Sequence, residues 1–431
     1  MNAPSPGITT RIEPWRWQMV WLLFLATLIN YMDRRTMNST STYIINEFGL
    51  GESGYSQVEF AFGISFAFFQ IVAGFLVDRF SLRWLYFAAL LTWSAAGLCT
   101  GLVSTFGLLV ACRVLLGVGE AFNWPCAVSA VRRVMPPDSR PYANGLFHSG
   151  ASVGAVLTPL LAYLIIDPQT GQGWRTLFIV VGAIGAIWLA LWLGLARGER
   201  GRVIDTPARE DPPTLATATP VNATATAAAA DQSLVPFAQV FAMRTFWLAI
   251  AVGVSVNVCW HFCNTWFPRY LTRELSIAGG NWQLMIAGFF IAADIGSILA
   301  GWGTRRIIRA GYSIERARKL VLTLTAGLCL MLIPAVLTTV AWLAVLLFFV
   351  AAAGSMGGFA NYFALSQDVV AHHTAKVLGL IGFTSWVIIS LLALVAGSFF
   401  DAYQTFVPLF IVVAFVPLAG ALLGWLWPER R

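Results

Sequence analysis

Two long apolar stretches of this sequence contain charged residues, which are costly in apolar surroundings. Asp33 and Arg34 are adjacent in LATLINYMDRRTMNSTSTYII, and Arg113 and Glu120 share LLVACRVLLGVGEAFNWPCAVSAV. A helix places residues seven positions apart on one face, about 10 Å apart along its axis. Two acids and two bases therefore predict either buried ion pairs or a site that handles charge.

The chemistry of these four residues suits protons and a carboxylate ligand. A carboxyl group in an apolar cavity can exchange a proton near neutral pH, whereas arginine keeps its proton and presents a planar fork to a carboxylate. We therefore interpret Asp33 and Glu120 as proton carriers, and Arg34 and Arg113 as ligands of an anion. The simpler alternative is two structural salt bridges that tie two helices together.

The composition indicates that membrane-spanning helices position these residues. Of the 431 residues, 58% are hydrophobic and 11% are charged, against about 25% charged in soluble proteins. A spanning helix needs about 20 apolar residues, and the apolar runs are continuous rather than alternating. The twelve predicted helices cover residues 17–41, 57–78, 84–104, 107–131, 141–165, 175–196, 245–271, 282–304, 319–338, 341–367, 375–399 and 404–427.

The basic residues are distributed unevenly along this pattern. The formal net charge is +7, and most of the 27 Lys and Arg residues fall in the N-terminal tail, the central linker or the loops on one side. That asymmetry is the positive-inside signature. It argues against nucleic-acid binding and predicts that both termini lie in the cytoplasm.

The predicted helices form two sets of six. We predict an N-terminal bundle over 1–196, a flexible cytoplasmic linker over 197–244 and a C-terminal bundle over 245–431. The linker sequence is rich in Ala, Thr and Pro. The segment GFLVDRFSLRW at 74–84 is matched by GWGTRRIIRAG at 301–311, which suggests duplication. Paired halves of this kind place a ligand site at their interface near the membrane midplane.

The segment after the second predicted helix resembles a family motif. Gly74, Asp78 and Arg79, followed by Arg83, resemble the helix 2–3 loop motif of the major facilitator superfamily. The resemblance implies two six-helix bundles that alternate between inward-open and outward-open states. We expect Gly74 to permit close helix approach, and the charged residues to hold one conformation of a gate.

The first and fourth helices narrow the resemblance. NYMDRRTMNSTS, and the spacing from Arg113 to Glu120, resemble signatures of the anion:cation symporters, a family that includes bacterial hexuronate, glucarate and galactonate transporters. In that family, residues matching Asp33 and Glu120 are protonation sites, and those matching Tyr31, Arg34 and Arg113 line the substrate site. Arg35 departs from the pattern, because the family usually has a small or uncharged residue there.

The second half is expected to supply further ligand contacts. Asn257, His261 and Asn264 lie on one face of the seventh predicted helix. Asn361 and Tyr362 are the candidates in the tenth. The alternative is that these polar groups only form hydrogen bonds between helices.

Together these patterns predict proton-coupled uptake of a small organic anion, most simply a sugar acid, by alternating access. The alternatives are an aromatic or dicarboxylic acid as cargo, or a drug/proton antiporter. The sequence has no phosphate-binding loop of an ATP-driven pump, and its four His residues lack metal-ligand spacing. We expect no enzymatic activity, cofactor or metal, and a functional monomer in the bacterial inner membrane whose partners are the anion, protons and the lipid bilayer.

Overall fold

The computed structural model describes residues 13–136, 139–206, 237–277, 280–367 and 374–426, which contain helices and no strands. The helices of the first half are α1 Pro14–Phe48, α2 Glu52–Arg79, α3 Leu82–Thr100, α4 Phe106–Glu120, α5 Asn123–Val134, α6 Arg140–Ile165, α7 Trp174–Leu195 and α8 Gly198–Asp205. Those that follow are α9 Phe237–Val240, α10 Arg244–Arg273, α11 Asn281–Arg309, α12 Ile314–Cys329, α13 Leu332–Leu337, α14 Ala341–Gln367, α15 Thr374–Tyr403 and α16 Val407–Trp425.

Most of these helices are membrane spans by length and composition. Within the described residues, eleven segments are long and apolar enough to cross a membrane, with α4 and α5 forming one and α12 and α13 another. The twelfth predicted span is α1, which has 35 residues but carries many polar groups in its second half. Neighbouring helices bury those groups. The predicted all-helical membrane architecture is confirmed.

The fourth predicted helix is interrupted, although the sequence favoured one helix over 107–131. The backbone N–H of Ala121 bonds to the Gly117 carbonyl at 3.2 Å, and that of Phe122 bonds to the Gly119 carbonyl at 3.3 Å. Pro125 has no N–H to continue the ladder, so the chain tightens and restarts as α5. Glu120 is therefore the last residue of α4.

Part of the predicted linker is a docked helix. Asp205 of α8 accepts hydrogen bonds from Ser81 Oγ at 2.7 Å and from the Arg83 backbone N–H at 3.0 Å. The Arg133 guanidinium donates to the carbonyls of Ile204 and Val77, both at 3.0 Å. The predicted flexibility of 197–244 therefore does not hold for 198–205. Residues 207–236 lie outside the described part, and the division into 1–196, 197–244 and 245–431 stays a prediction.

The early and late helices meet mainly through α2 against α15 and α6 against α11. We call the end of the bundle where α1 ends and α2 begins the Glu52 end, and the opposite end of α2 the Arg79 end. At the Glu52 end, the Asp401 carboxylate of α15 accepts the backbone N–H groups of Glu52 and Ser53, both at 2.9 Å. Gln283 of α11 also donates to the Ser39 carbonyl at 2.7 Å. These contacts fix α1 and α2 against the later helices and position the residues between them.

Candidate functional site

A small cavity of about 30 Å³ lies between α1, α2, α10 and α15. That space holds about two water molecules, so a larger ligand needs the surrounding helices to move apart. Early and late helices both contribute to the cavity, as the paired-halves prediction requires. The polar and aromatic groups in its wall include Arg34, Arg35, Asn38, Glu59, His261 and Trp386.

Arg34 and Glu120 form a buried ion pair beside this cavity. Arg34 Nε and Nη2 both donate to Glu120 Oε2, at 3.0 and 2.8 Å. Arg34 is 8% exposed and Glu120 is fully buried. The second carboxylate oxygen, Oε1, has no hydrogen-bond partner in the described part of the chain. The arginine is therefore engaged through one carboxylate oxygen, and a bidentate ligand would satisfy it more fully.

Aromatic rings surround the Arg34 guanidinium. Its central carbon lies 4.6 Å from the ring centre of Phe66, 5.1 Å from Phe62, 5.2 Å from Trp386 and 5.4 Å from Tyr31. Cation–π attraction stabilises a planar guanidinium in such surroundings. Tyr31 thus lies beside the arginine, although it is not among the residues that line the cavity.

Asp33 and Arg113 lie in the first half and are not among the residues that line the cavity. A Cβ placed on Gly97 of α3 would be 2.6 Å from Asp33 Oδ1, so the carboxyl group packs directly on α3. Neither oxygen of Asp33 nor Nε of Arg113 has a hydrogen-bond partner among the described residues. The Arg113 guanidinium lies over the Phe178 ring at 5.7 Å. Of the four charged residues predicted from the sequence, Arg34 and Glu120 form an ion pair, and Asp33 and Arg113 form none among the described residues.

Glu59 of α2 is a third acid that the sequence reading missed. It lines the cavity and accepts a hydrogen bond from the Tyr55 hydroxyl at 3.0 Å. That hydroxyl accepts one from Asn38 Nδ2 at 3.2 Å, which links Glu59 to α1. The signal was present, because Glu59 interrupts the apolar run VEFAFGISFAFF in the same way as Asp33 interrupts α1.

The predicted polar face of the seventh span, α10, is only partly directed to the cavity. His261 lines it, with its ring centre 4.5 Å from that of Trp386. Asn257 instead donates to the Gly253 carbonyl of its own helix at 2.8 Å. The Asn264 amide is buried and has no hydrogen-bond partner among the described residues.

The two candidates of the tenth predicted helix lie in α14. Tyr362 is buried, and its ring contacts the backbone of α10 at Gly253. The side chain of Asn361 lies outside the described part of the chain. Neither residue is among those that line the cavity.

The loop motif is only partly used as predicted. Arg83 donates to the Ala196 carbonyl at 3.2 Å, and its Nε lies 3.7 Å from Asp205 Oδ2, so it holds α8. Arg79 is exposed, and the side chain of Asp78 lies outside the described residues. A Cβ on Gly74 would meet no atom of the described residues within 4 Å. The described residues therefore show no close helix approach at Gly74, and its role stays a prediction.

The sequence matches the model of the Major Facilitator Superfamily over residues 23–394. The chain belongs to the Major Facilitator Superfamily. Solved structures agree in fold: a bacterial homologue of the human lysosomal transporter Spinster has a TM-score of 0.71 and 18% identity, covering 96% of this chain and 95% of that one. A peptide transporter, POT, has a TM-score of 0.72 and 14% identity, covering 98% and 95%.

Relatives of this superfamily member include bacterial sugar-acid transporters. A D-galactonate transporter of Escherichia coli O6:H1 is 31% identical over 350 residues, covering 77% of this chain and 76% of the relative. The hexuronate transporter of Escherichia coli K12 is 28% identical over 440 residues, covering 96% and 94%. A probable galactarate/D-glucarate transporter of the same strain is 27% identical over 333 residues, covering 72% and 71%. The predicted resemblance to sugar-acid transporters is confirmed, and the chain is a multi-pass membrane transporter, not an enzyme.

Proposed function

We propose that this transporter takes up sugar acids of the hexuronate, aldonate or aldarate type together with protons, by alternating access. The observation that best supports this proposal is the Arg34–Glu120 ion pair, which lies beside a cavity lined by both early and late helices. A substrate carboxylate needs the same guanidinium N–H groups that now bind Glu120. Substrate and Glu120 therefore compete for Arg34.

Protonation of Glu120 decides that competition. A neutral Glu120 attracts the guanidinium far less, and a buried arginine without an anionic partner is unfavourable. The substrate carboxylate then replaces Glu120 as the partner of Arg34. When the substrate leaves, loss of the proton restores the internal pair, so proton and substrate binding are thermodynamically linked.

Asp33 is the candidate for a second proton-binding site. An ionised carboxylate that is buried without hydrogen bonds carries a large desolvation cost, whereas a protonated carboxyl group does not. Arg113 lies close enough to Asp33 to interact electrostatically, so its positive charge offsets the carboxylate charge when the proton leaves. Two protons with one monoanion would move one positive charge inward, and the membrane potential then contributes about 2.3 kcal/mol per 100 mV.

The arrangement also supports an anionic rather than a cationic cargo. Arg34 and Arg35 both line the cavity, and like-charge contacts would oppose the cationic cargo of a drug/proton antiporter. The basic loops support a bacterial inner-membrane protein with both termini in the cytoplasm. The cavity is lined within one chain, which supports a functional monomer.

Uptake into proteoliposomes tests this function. With an inward proton gradient, purified protein should accumulate radiolabelled D-galactonate or D-galacturonate, and an uncoupler should abolish the accumulation. Glu120→Gln should lose proton-driven accumulation but keep counterflow exchange, because a neutral side chain mimics the protonated state. Glu199→Gln, at an exposed position on α8, is the matched control.

Three outcomes would contradict parts of the proposal. Absence of uptake and exchange for every sugar acid in active, folded protein would remove the substrate class. Intact proton-driven accumulation by Glu120→Gln would remove Glu120 from coupling, and proton-driven efflux of cationic dyes would favour the antiporter.

A further inference from the structure

The cavity is lined by a second arginine that forms no ion pair with an acid among the described residues. Arg35 is 4% exposed, and no carboxylate among the described residues forms an ion pair with it within 4.0 Å. Its Nε has no hydrogen-bond partner there either. Because a buried cation without a counter-ion is unfavourable, Arg35 is suited to bind an anion that enters the cavity.

Arg34 and Arg35 point to different neighbours. The Arg34 guanidinium lies over Phe66 of α2 at 4.6 Å, whereas that of Arg35 lies over Phe290 of α11 at 4.8 Å. Consecutive helical residues are about 100° apart around the axis, so the two charges face different parts of one cavity. A ligand with one anionic group would satisfy one of them.

We propose that Arg35 forms a second anion subsite, and that the preferred cargo is a sugar acid with a carboxylate at each end. This inference rests on the proposed function, in which Arg34 binds the first carboxylate. The second carboxylate would bind Arg35 by charge-assisted hydrogen bonds. Asn38, His261 and Thr265 line the same cavity and offer polar groups for the hydroxyls between the two ends.

Glu59 is close enough to act on Arg35 electrostatically, but it does not bind it directly. Its carboxylate is bound by the Tyr55 hydroxyl, and it forms no ion pair with Arg35 within 4.0 Å. The Arg34 guanidinium, in contrast, is bound by Glu120. Among the described residues, Arg35 is thus the arginine of the cavity wall without a directly bound carboxylate.

Galactarate and D-galactonate are suitable probes, because they differ only at C6, where galactarate has a carboxylate and galactonate a hydroxymethyl group. Binding to the purified full-length protein should be measured by calorimetry. Wild type should bind galactarate at least about tenfold more tightly, which corresponds to about 1.4 kcal/mol. Arg35→Gln should lose that preference, because it should weaken galactarate binding at least about tenfold more than galactonate binding. Arg34→Gln should weaken both ligands.

Arg35→Lys provides a second variant if the glutamine protein does not fold, and it should keep part of the preference because it keeps the charge. Equal wild-type affinity for the two probes would overturn the inference, as would equal weakening of both by Arg35→Gln. Binding and uptake of galactonate without galactarate would refute the second subsite and leave the proposed function intact. Failure to bind or transport any sugar acid would refute the proposed function itself.

Discussion

Glu52 at the start of α2 and Arg269 near the end of α10 form an ion pair that is almost completely buried, with exposed fractions of 1% and 0%. Arg269 Nε lies 2.9 Å from Glu52 Oε2, and its Nη1 donates to Thr42 Oγ1 at 2.8 Å. Arg273 Nε adds a contact with Glu52 at 3.2 Å. The ion pair joins an early helix to a late one, so the Glu52 end stays closed while this ion pair is formed.

Glu52→Gln should open this end. Removing one partner of a buried ion pair costs about 3–5 kcal/mol, and the cost falls only on the closed state. Spin labels at Asn46 and Tyr403, both exposed near this end, should report a longer distance population in the variant. The experiment needs a background without the six native cysteines.

The double variant Glu52→Gln/Arg269→Gln provides the control for this gate. It removes both fully buried charges, and the Arg273 charge that also contacted Glu52 is 44% exposed and solvated, so the variant should recover part of the closed population. An unchanged distance distribution in Glu52→Gln would show that the pair does not hold the end closed.

Arg34→Lys should weaken substrate binding although it keeps the charge. Lysine cannot present two parallel N–H groups to a carboxylate, and its ammonium is more strongly hydrated than a guanidinium in an aromatic surrounding. We expect the Kd for D-galactonate to rise at least about tenfold, because hydrogen bonds to charged groups contribute about 1.5–3 kcal/mol. Calorimetry on purified protein measures this change. Arg79→Lys, at an exposed position, is the control, and an unchanged Kd in Arg34→Lys would disprove the bidentate contact.

Much of the site was predictable from the free-energy cost of burying charged side chains in apolar surroundings. Asp33, Arg34, Arg113 and Glu120 stood out because each interrupts an apolar run, and the structure pairs Arg34 with Glu120. The same argument applied to Glu59 would have identified it. Its hydrogen bond from Tyr55 follows from a spacing of four residues on one helix, so this contact was accessible to sequence reasoning.

Other features depend on tertiary packing that no local pattern contains. Asp33 packs on α3 at Gly97 and has no hydrogen-bond partner among the described residues, and a one-dimensional pattern does not fix which helix faces it. Gly74 was assigned a packing role from its motif, yet no described atom lies within 4 Å of a Cβ placed there. The break before α5 was predictable in principle, because Pro125 lies within the apolar run.

Gly97→Ala tests the packing of Asp33. The new Cβ would lie 2.6 Å from Asp33 Oδ1 in the present arrangement, so the carboxyl group or α3 must shift. We expect weaker proton-driven accumulation with sugar-acid binding retained, and a loss of stability of about 1–3 kcal/mol from overpacking. Proteoliposome uptake and thermal unfolding measure the two effects.

Gly107→Ala is the matched control, because a Cβ there meets no described atom within 4 Å. It should leave both quantities unchanged. If Gly97→Ala couples protons as well as wild type does, the position of Asp33 against α3 has no role in coupling.

Asp33→Asn tests whether this residue carries a second proton. If Glu120 and Asp33 each bring one proton with a monoanion, wild-type transport moves one net positive charge. The asparagine cannot release or accept a proton, so the variant should carry one proton and become electroneutral. Currents on a solid-supported membrane with D-galactonate should then disappear, while radiolabelled uptake under a proton gradient persists at a reduced rate.

Asp33→Asn also removes the negative charge that offsets Arg113, which affects folding. The effect on folding must therefore be measured separately from the effect on charge movement. Thermal unfolding and counterflow exchange provide that check, because counterflow needs substrate binding and conformational exchange but no net proton movement. A variant that exchanges substrate and still produces wild-type currents would assign the second proton to another group. Glu59 would then be the first residue to test, since it is the remaining acid in the cavity wall.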